Sequence, residues 1–211
     1  KRYRYENKDK IMKYNEELKI REFETIAKET NMELRCWKCG EDDIEKLSIG
    51  HIDNSGKTDR KTNGRGSTFR RKIINGSIDC SNLRIECYNC NNVAFLYGIY
   101  PNEIRKNGRK IKNDKYYKLK KDAYEKIANH HNRNIECFIC GEKITECLTI
   151  GHINNDGCEE RKKEGRSTYS LYSRIVKGDR SCEDLQLECW NCNCSKYFYK
   201  NKYNGDIKDG R

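Results

Sequence analysis

Four Cys-x-x-Cys pairs stand in the chain: Cys36/Cys39, Cys87/Cys90, Cys137/Cys140 and Cys189/Cys192. Thiolates are good zinc ligands, and a two-residue spacer lets both sulfurs of a knuckle face one ion; two knuckles complete a tetrahedron. Taken in order, the pairs predict one Zn2+ held by Cys36, Cys39, Cys87 and Cys90 and a second held by Cys137, Cys140, Cys189 and Cys192. With every position filled by protein, such sites are structural rather than catalytic. Paired knuckles without a secretory leader are expected of zinc in a reducing compartment, hence of an intracellular protein, rather than of disulfides. Of the other five cysteines, Cys80 and Cys182 correspond between the two sets and are expected in the core.

Two histidines offer a second chemistry. His51 ends Leu47-Ser-Ile-Gly50-His51 and His152 ends Leu148-Thr-Ile-Gly151-His152. Such a histidine serves as a proton acceptor or phosphate contact, or it donates a hydrogen bond to its own loop. The sequence leaves both readings open.

These residues belong to an internal repeat. Cys36, Cys39, Gly40, Leu47, Ile49, Gly50, His51, Gly56, Arg60, Lys61, Gly64 and Arg65 recur 101 positions later. After one inserted residue, Cys80, Leu83, Glu86, Cys87, Cys90 and Asn91 recur 102 positions later. Most residues between them differ, so the shared set marks what two diverged copies both need.

The elements that must position these groups follow from periodicity. Phe23, Ile26 and Ala27 match Tyr124, Ile127 and Ala128 at the 101-residue offset, at helical spacing, so a helix precedes each copy. Leu47–Ile49 and Leu148–Ile150 alternate like short strands. Leu83–Ile85 and Leu185–Leu187 form or approach a second strand, with a short helix beyond the second knuckle. A glycine-containing loop is expected after each histidine. The expected architecture is α+β: two tandem zinc-stabilised ββα modules, each led by a helix. Residues 1–100 carry the first module and 101–200 a basic connector with the second; 201–211 form a polar tail. Each module is small for a self-sufficient core, and bound metal supplies folding free energy that apolar burial does not.

The chain of 211 residues carries a formal charge of +11, with 36% charged and 35% hydrophobic residues. The excess is clustered. Arg60, Lys61, Arg65, Arg70 and Arg71 follow His51; Arg161, Lys162, Lys163 and Arg166 follow His152; Arg109, Lys110 and Lys112 lie in the connector. Such blocks neutralise phosphates without reading sequence, which makes nucleic acid the expected partner, DNA ahead of RNA. No apolar run is long enough to cross a bilayer, so no membrane partner is expected. Trp37, Tyr88, Phe138 and Trp190 sit inside the knuckles, where packing around zinc is favoured over stacking on bases.

Cys-x-x-Cys-Gly, a strand ending in His, a basic Gly-containing stretch and Leu-x-Leu/Ile-x-Cys-x-x-Cys-Asn together resemble the HNH (ββα-metal) endonucleases with an accessory four-cysteine zinc. The resemblance covers Leu34 to Leu96 and Ile135 to Tyr199. It implies that His51 and His152 are general bases activating water against a phosphodiester. It implies that Asn82 orients the first base, with Asp184 at that place in the second copy. It implies that Asn91 and Asn193 help to bind a catalytic Mg2+ or Mn2+, and Lys196 matches a lysine found three residues further on. The departure is the residue before each base. Active members carry Asp or Glu there to hold the ion, and this chain has Gly50 and Gly151; Asp53 and Asp156 are nearby acids at other positions. Three readings result: a zinc-stabilised nucleic-acid-binding protein built from two HNH-like modules with impaired or absent nuclease activity; a metal-dependent HNH endonuclease of homing, nicking or restriction type; and a structural component of a larger nucleoprotein assembly, ribosome-associated or chromatin-like.

Overall fold

The fold is described from a computed structural model over residues 7–107, 115–164 and 167–198. Two compact units divide between Cys87 and Tyr88. The first contains α1 (Lys8–Thr30), β1 (Leu47–His51), α2 (Gly56–Asn63), α3 (Ser67–Ile74) and β2 (Leu83–Cys87). The second contains α4 (Tyr88–Tyr97), α5 (Pro101–Asn107), α6 (Lys115–His130), β3 (Leu148–His152), α7 (Gly157–Glu164), α8 (Thr168–Lys177), β4 (Leu185–Cys189) and α9 (Trp190–Phe198). The class is α+β, with two small antiparallel sheets. The tail over 201–211 lies outside the described residues.

The leading helices are present in both copies, and both stop on an asparagine in the left-handed region, Asn31 (φ 52) and Asn132 (φ 52). At each, the next amide reaches back to a helix carbonyl: Met32 N–H to Ala27 and Arg133 N–H to Ala128, both 2.9 Å. This is the usual way for a helix to satisfy its last carbonyls and turn sharply. α1 buries Leu18, Phe23 and Ile26; α6 buries Ala123, Tyr124 and Ile127. In the second unit these join Leu148, Tyr172, Ile175, Leu185 and Leu187 in one core. The Tyr124 hydroxyl, which would be orphaned there, donates to the Leu148 carbonyl at 2.6 Å.

β1 pairs with β2, Leu47 opposite Cys87 and His51 opposite Leu83; β3 pairs with β4, Leu148 opposite Cys189 and His152 opposite Leu185. Each hairpin thus ties a zinc ligand at one end to a histidine at the other. The first knuckle of each copy is strapped to the same sheet: Trp37 N–H donates to Ile85 O at 3.0 Å and Phe138 N–H to Leu187 O at 2.7 Å.

Two expectations need correction. The stretch after each histidine is helical, not a loop: α2 and α3 connect the strands of the first hairpin, α7 and α8 those of the second. α2 hides no residue, so it leaves no apolar signature, whereas α3 is anchored by Ile73 packed under α1. The helix beyond the second knuckle begins at Tyr88 or Trp190, so Cys90 and Cys192 lie within its first turn. The division between the compact units falls at Cys87/Tyr88, ahead of the repeat boundary near residue 100. α4 packs on α9 in the second unit, where the Asn89 and Asn191 side chains each accept the other's backbone N–H at 3.0 and 2.8 Å.

Candidate functional site

The eight knuckle cysteines gather into two clusters, Cys36/Cys39/Cys87/Cys90 and Cys137/Cys140/Cys189/Cys192, with the sulfurs of each within 4.8 Å of one another. Cys39 Sγ and Cys87 Sγ are 3.7 Å apart, as are Cys140 Sγ and Cys189 Sγ. That is nearly twice a disulfide bond. It matches the edge of a tetrahedron of sulfurs about 2.3 Å from a central zinc, roughly 3.8 Å. Hydrogen bonds from Cys140, then Cys189 and Cys192, hold the Cys137 thiol far below its ordinary value, while Cys137 pushes Cys189 and Cys192 far up. Four thiolates this close ionise together only around a cation. Both clusters fit structural Zn2+, and Cys80, Cys147 and Cys182 stay outside them. Cys80 and Cys147 are buried, and Cys182 packs against the second core.

Each histidine meets an acid that the sequence reading passed over. His51 Nε2 lies 2.7 Å from Asp59 Oδ2 on α2, and His152 Nε2 lies 2.5 Å from Glu160 Oε2 on α7. Asp59 and Glu160 are 101 positions apart, as the histidines are. Asn63 Nδ2 donates to Asp59 Oδ1 at 2.6 Å. Glu160 takes Arg180 Nε at 2.9 Å, and Arg180 also forks onto Asp184 with two 2.7 Å bonds. Gly56 and Gly157 open these helices against the imidazole; a Cβ on Gly56 would stand 2.9 Å from His51 Nδ1, and one on Gly157 would crowd His152 Nδ1 more closely. In the first unit the pair opens onto a cleft of about 410 Å3 lined by polar groups such as Ser55, Thr58, Asn63 and Asn82 and by the apolar Ile78 and Leu83.

Hydrogen bonds from Arg180, opposed by burial and aided by His152, bring the Glu160 carboxyl down to about 2 from an ordinary 4.5. A depressed carboxyl contributes stability that is complete above its unfolded value and is lost as pH falls through the folded one. Glu160→Gln removes that dependence, so the fall in Tm of the native chain between about pH 4.5 and about pH 2 will be shallower in the variant. An equally steep acid limb in both proteins would contradict this.

Asn82 lines the same cleft as His51, and its described side-chain hydrogen bonds go elsewhere. Its side chain accepts from Asp53 N–H (3.3 Å) and donates to Ser55 Oγ (3.2 Å), holding the turn after β1. Asp184 replaces it with a charge and engages Arg180. In the second copy His152, Asp156 and Asp184 bring ligand atoms within 4.8 Å of one another, so Asp156 is closer to the base than its sequence position suggests. The first copy has Ser55 and Asn82 at the matching positions and offers no such group.

The glycines before the histidines have a structural cause. A Cβ on Gly50 would come 2.5 Å from Glu86 Oε2, and one on Gly151 would fall inside the Glu188 carboxylate. Both glutamates are buried, at 1% and 0% exposure, so a neighbouring side chain has nowhere to go. Glu86 accepts from Trp37 Nε1 at 2.8 Å and pairs with Arg84 at 2.6 Å. Glu188 is bonded by Lys196 Nζ, by Gln186 Nε2 at 2.6 Å and by Asn193 Nδ2 at 2.9 Å; Lys196 also donates to His152 O at 2.8 Å. Asn193 and Lys196 are therefore committed to a buried carboxylate. Asn91 lies half-buried on α4.

Of the basic candidates, Arg60, Lys61, Arg65, Arg71, Arg161 and Lys162 are exposed, Lys162 with Glu159 beside it at 2.7 Å. Arg70 instead turns inward: its Nε meets Glu22 Oε2 at 3.1 Å and its Nη1 the Asn15 carbonyl at 3.4 Å. Burial raises Glu22 to about 7 in spite of Arg70, so the arginine serves the α1–α3 contact. Lys163 lies on α7. Arg109, Lys110, Lys112 and Arg166 fall outside the described residues. No described helix is long and apolar enough to cross a membrane. Comparison with protein-family models, with curated proteins and with solved structures returned no match.

Proposed function

We infer that the chain is a zinc-stabilised nucleic-acid-binding protein made of two HNH-like modules, with DNA the favoured polymer. One observation carries this reading. In both copies the place of the metal-holding acid is a glycine whose room is filled by a buried, neutralised glutamate, while exposed arginine and lysine remain on the helix that follows each histidine. On α2, Asp59 and Asn63 turn toward His51, and Lys57, Arg60 and Lys61 are left to solvent. Phosphate contacts from such groups release counterions, so log K falls with log salt by about 0.9 per phosphate engaged on duplex DNA. Linking two modules in one chain adds affinity wherever both reach the same polymer.

Gel retardation of a plain duplex by the zinc-loaded chain tests this. Binding should weaken steeply with salt, and replacing Arg60, Lys61, Arg161 and Lys162 with alanine should flatten the slope. Absence of retardation at low salt would instead favour a structural part of a larger nucleoprotein assembly.

The histidine–carboxylate pairs favour a second reading, phosphodiester hydrolysis. There the imidazole takes a proton from water, the oxygen attacks phosphorus, and the bond from phosphorus to the leaving oxygen breaks. An Mg2+ or Mn2+ ion would supply charge neutralisation at the phosphate. The first module does not fit such an ion, having Gly50, Ser55 and Asn82 around its base. In the second, Asp156 and Asp184, whose carboxylates lie beside His152, are the residues that would hold it. Cleavage of supercoiled plasmid that disappears in His51→Ala/His152→Ala at unchanged zinc content would establish this reading over simple binding.

A further inference from the structure

We propose that Asp59 and Glu160 are positioning residues that each hold a histidine through Nε2–H, so that His51 and His152 present a bare Nδ1 to their substrate. This rests on reading the two histidine pockets as phosphodiester-facing, and it states which nitrogen acts.

The geometry is the same in both copies although the acid is not. One copy uses Asp and the other Glu, each eight residues beyond its histidine, on the first helix after the hairpin strand. The carboxylate oxygens reach Nε2 at 2.7 and 2.5 Å, and the pairs are largely buried, the histidine side chains being 12% and 13% exposed. Two diverged copies that changed the residue but kept the contact are under a common constraint. Each acid is itself fixed: Asp59 by Asn63 and Glu160 by Arg180. A carboxylate has no proton to give, so the shared hydrogen must sit on Nε2. Burial works against the Asp59 carboxylate, yet the bonds from Asn63 and His51 leave it below its ordinary value; Arg180 does the same for Glu160. Both acids are ionised at neutral pH, so each holds its imidazole through Nε2–H and leaves Nδ1 as the ring nitrogen that faces away from it.

Nothing described competes for that nitrogen. Among the described residues no hydrogen bond reaches Nδ1 of either histidine, and the helix beside it begins with Gly56 or Gly157, the one residue type that keeps a side chain from crowding it. A bare Nδ1 accepts a proton from water.

The chain contains four histidines, which makes the nitrogen states directly readable. Long-range 1H–15N NMR spectra of the full, zinc-loaded chain at neutral pH should show His51 and His152 protonated at Nε2 and bare at Nδ1. Asp59→Asn and Glu160→Gln, whose amides can donate as well as accept, should each release the tautomer of the histidine they face. Asp59→Glu and Glu160→Asp, which install the acid native to the other copy, should restore it and so separate the effect from misfolding. A protonated Nδ1 in the native chain would overturn the proposal. So would an Nε2–H tautomer that survives in Asp59→Asn and Glu160→Gln with zinc retained. Where the native chain cleaves plasmid, those two variants should slow cleavage by about 100-fold or more at unchanged duplex retention. Failure of duplex retention would sink the nucleic-acid reading and leave the nitrogen assignment to the spectra.

Discussion

Replacing Cys189 with serine will drop bound zinc from two ions per chain to one and unfold the hairpin that carries His152. Cys189 is at once the last residue of β4, the partner of Leu148 across the sheet and a member of the second cluster. The strap from Phe138 N–H to Leu187 O joins the cluster's other knuckle, Cys137/Cys140, to the same strand. Structural zinc in small modules contributes on the order of 10–16 kcal/mol of apparent binding free energy, which in such proteins is folding free energy. The core of a module this small cannot replace it. Metal analysis with circular dichroism checks the expectation: one zinc and a loss of ordered signal in Cys189→Ser, and wholesale unfolding of the native chain by a strong chelator. Two zinc ions retained, or a native spectrum after their removal, would contradict it.

The second large effect concerns the buried glutamate. Gly151→Ala will destabilise the chain by about 1–3 kcal/mol or more, because the new methyl has only the Glu188 carboxylate to displace. Lys196→Met will cost about 3–5 kcal/mol by leaving Glu188 buried without its cation. The two sites are coupled. In Gly151→Ala/Glu188→Ala the methyl enters vacated space, so the double variant should be more stable than the sum of its single changes, by a coupling energy on the order of 1 kcal/mol or more. Denaturant unfolding of the four proteins measures this, and strict additivity would show that the glycine has another cause. The result bears on function. It decides whether glycine stands before the histidine because an acid was lost there or because a neighbouring acid excludes any side chain.

Much of this was legible in the residues. Spacing fixed both cysteine sets, since zinc chemistry demands pairs of thiolates on short knuckles. Alternation located β1 through β4, and helical periodicity at Phe23/Ile26 and Tyr124/Ile127 located α1 and α6. What escaped depends on contacts that no local pattern encodes. α2 is exposed on most sides and carries no apolar stripe, so its sequence reads as loop until it is folded. The link from His51 to Asp59 crosses a turn and a helix, and its only sequence trace was the 101-residue offset shared by the two acids. Glu86 and Glu188 recur visibly, but that they fill the space beside Gly50 and Gly151 follows from strand pairing, with Ser48 opposite Glu86 and Thr149 opposite Glu188. Arg70 looked like its exposed neighbours and differs because Glu22 lies under α3. Asn82 spends its side-chain hydrogen bonds on the turn after β1, a placement that no local pattern announces.

The most direct test of the account is the affinity of the zinc-loaded chain for a labelled plain DNA duplex, followed by fluorescence anisotropy across a salt series with metal content verified. The account predicts tight binding at low salt, a linear log–log decline with a slope of several phosphates' worth, and a shallower slope once Arg60, Lys61, Arg161 and Lys162 are alanine. A fully zinc-loaded, folded chain that leaves the duplex free at low salt, or binds it with no dependence on salt, would contradict it.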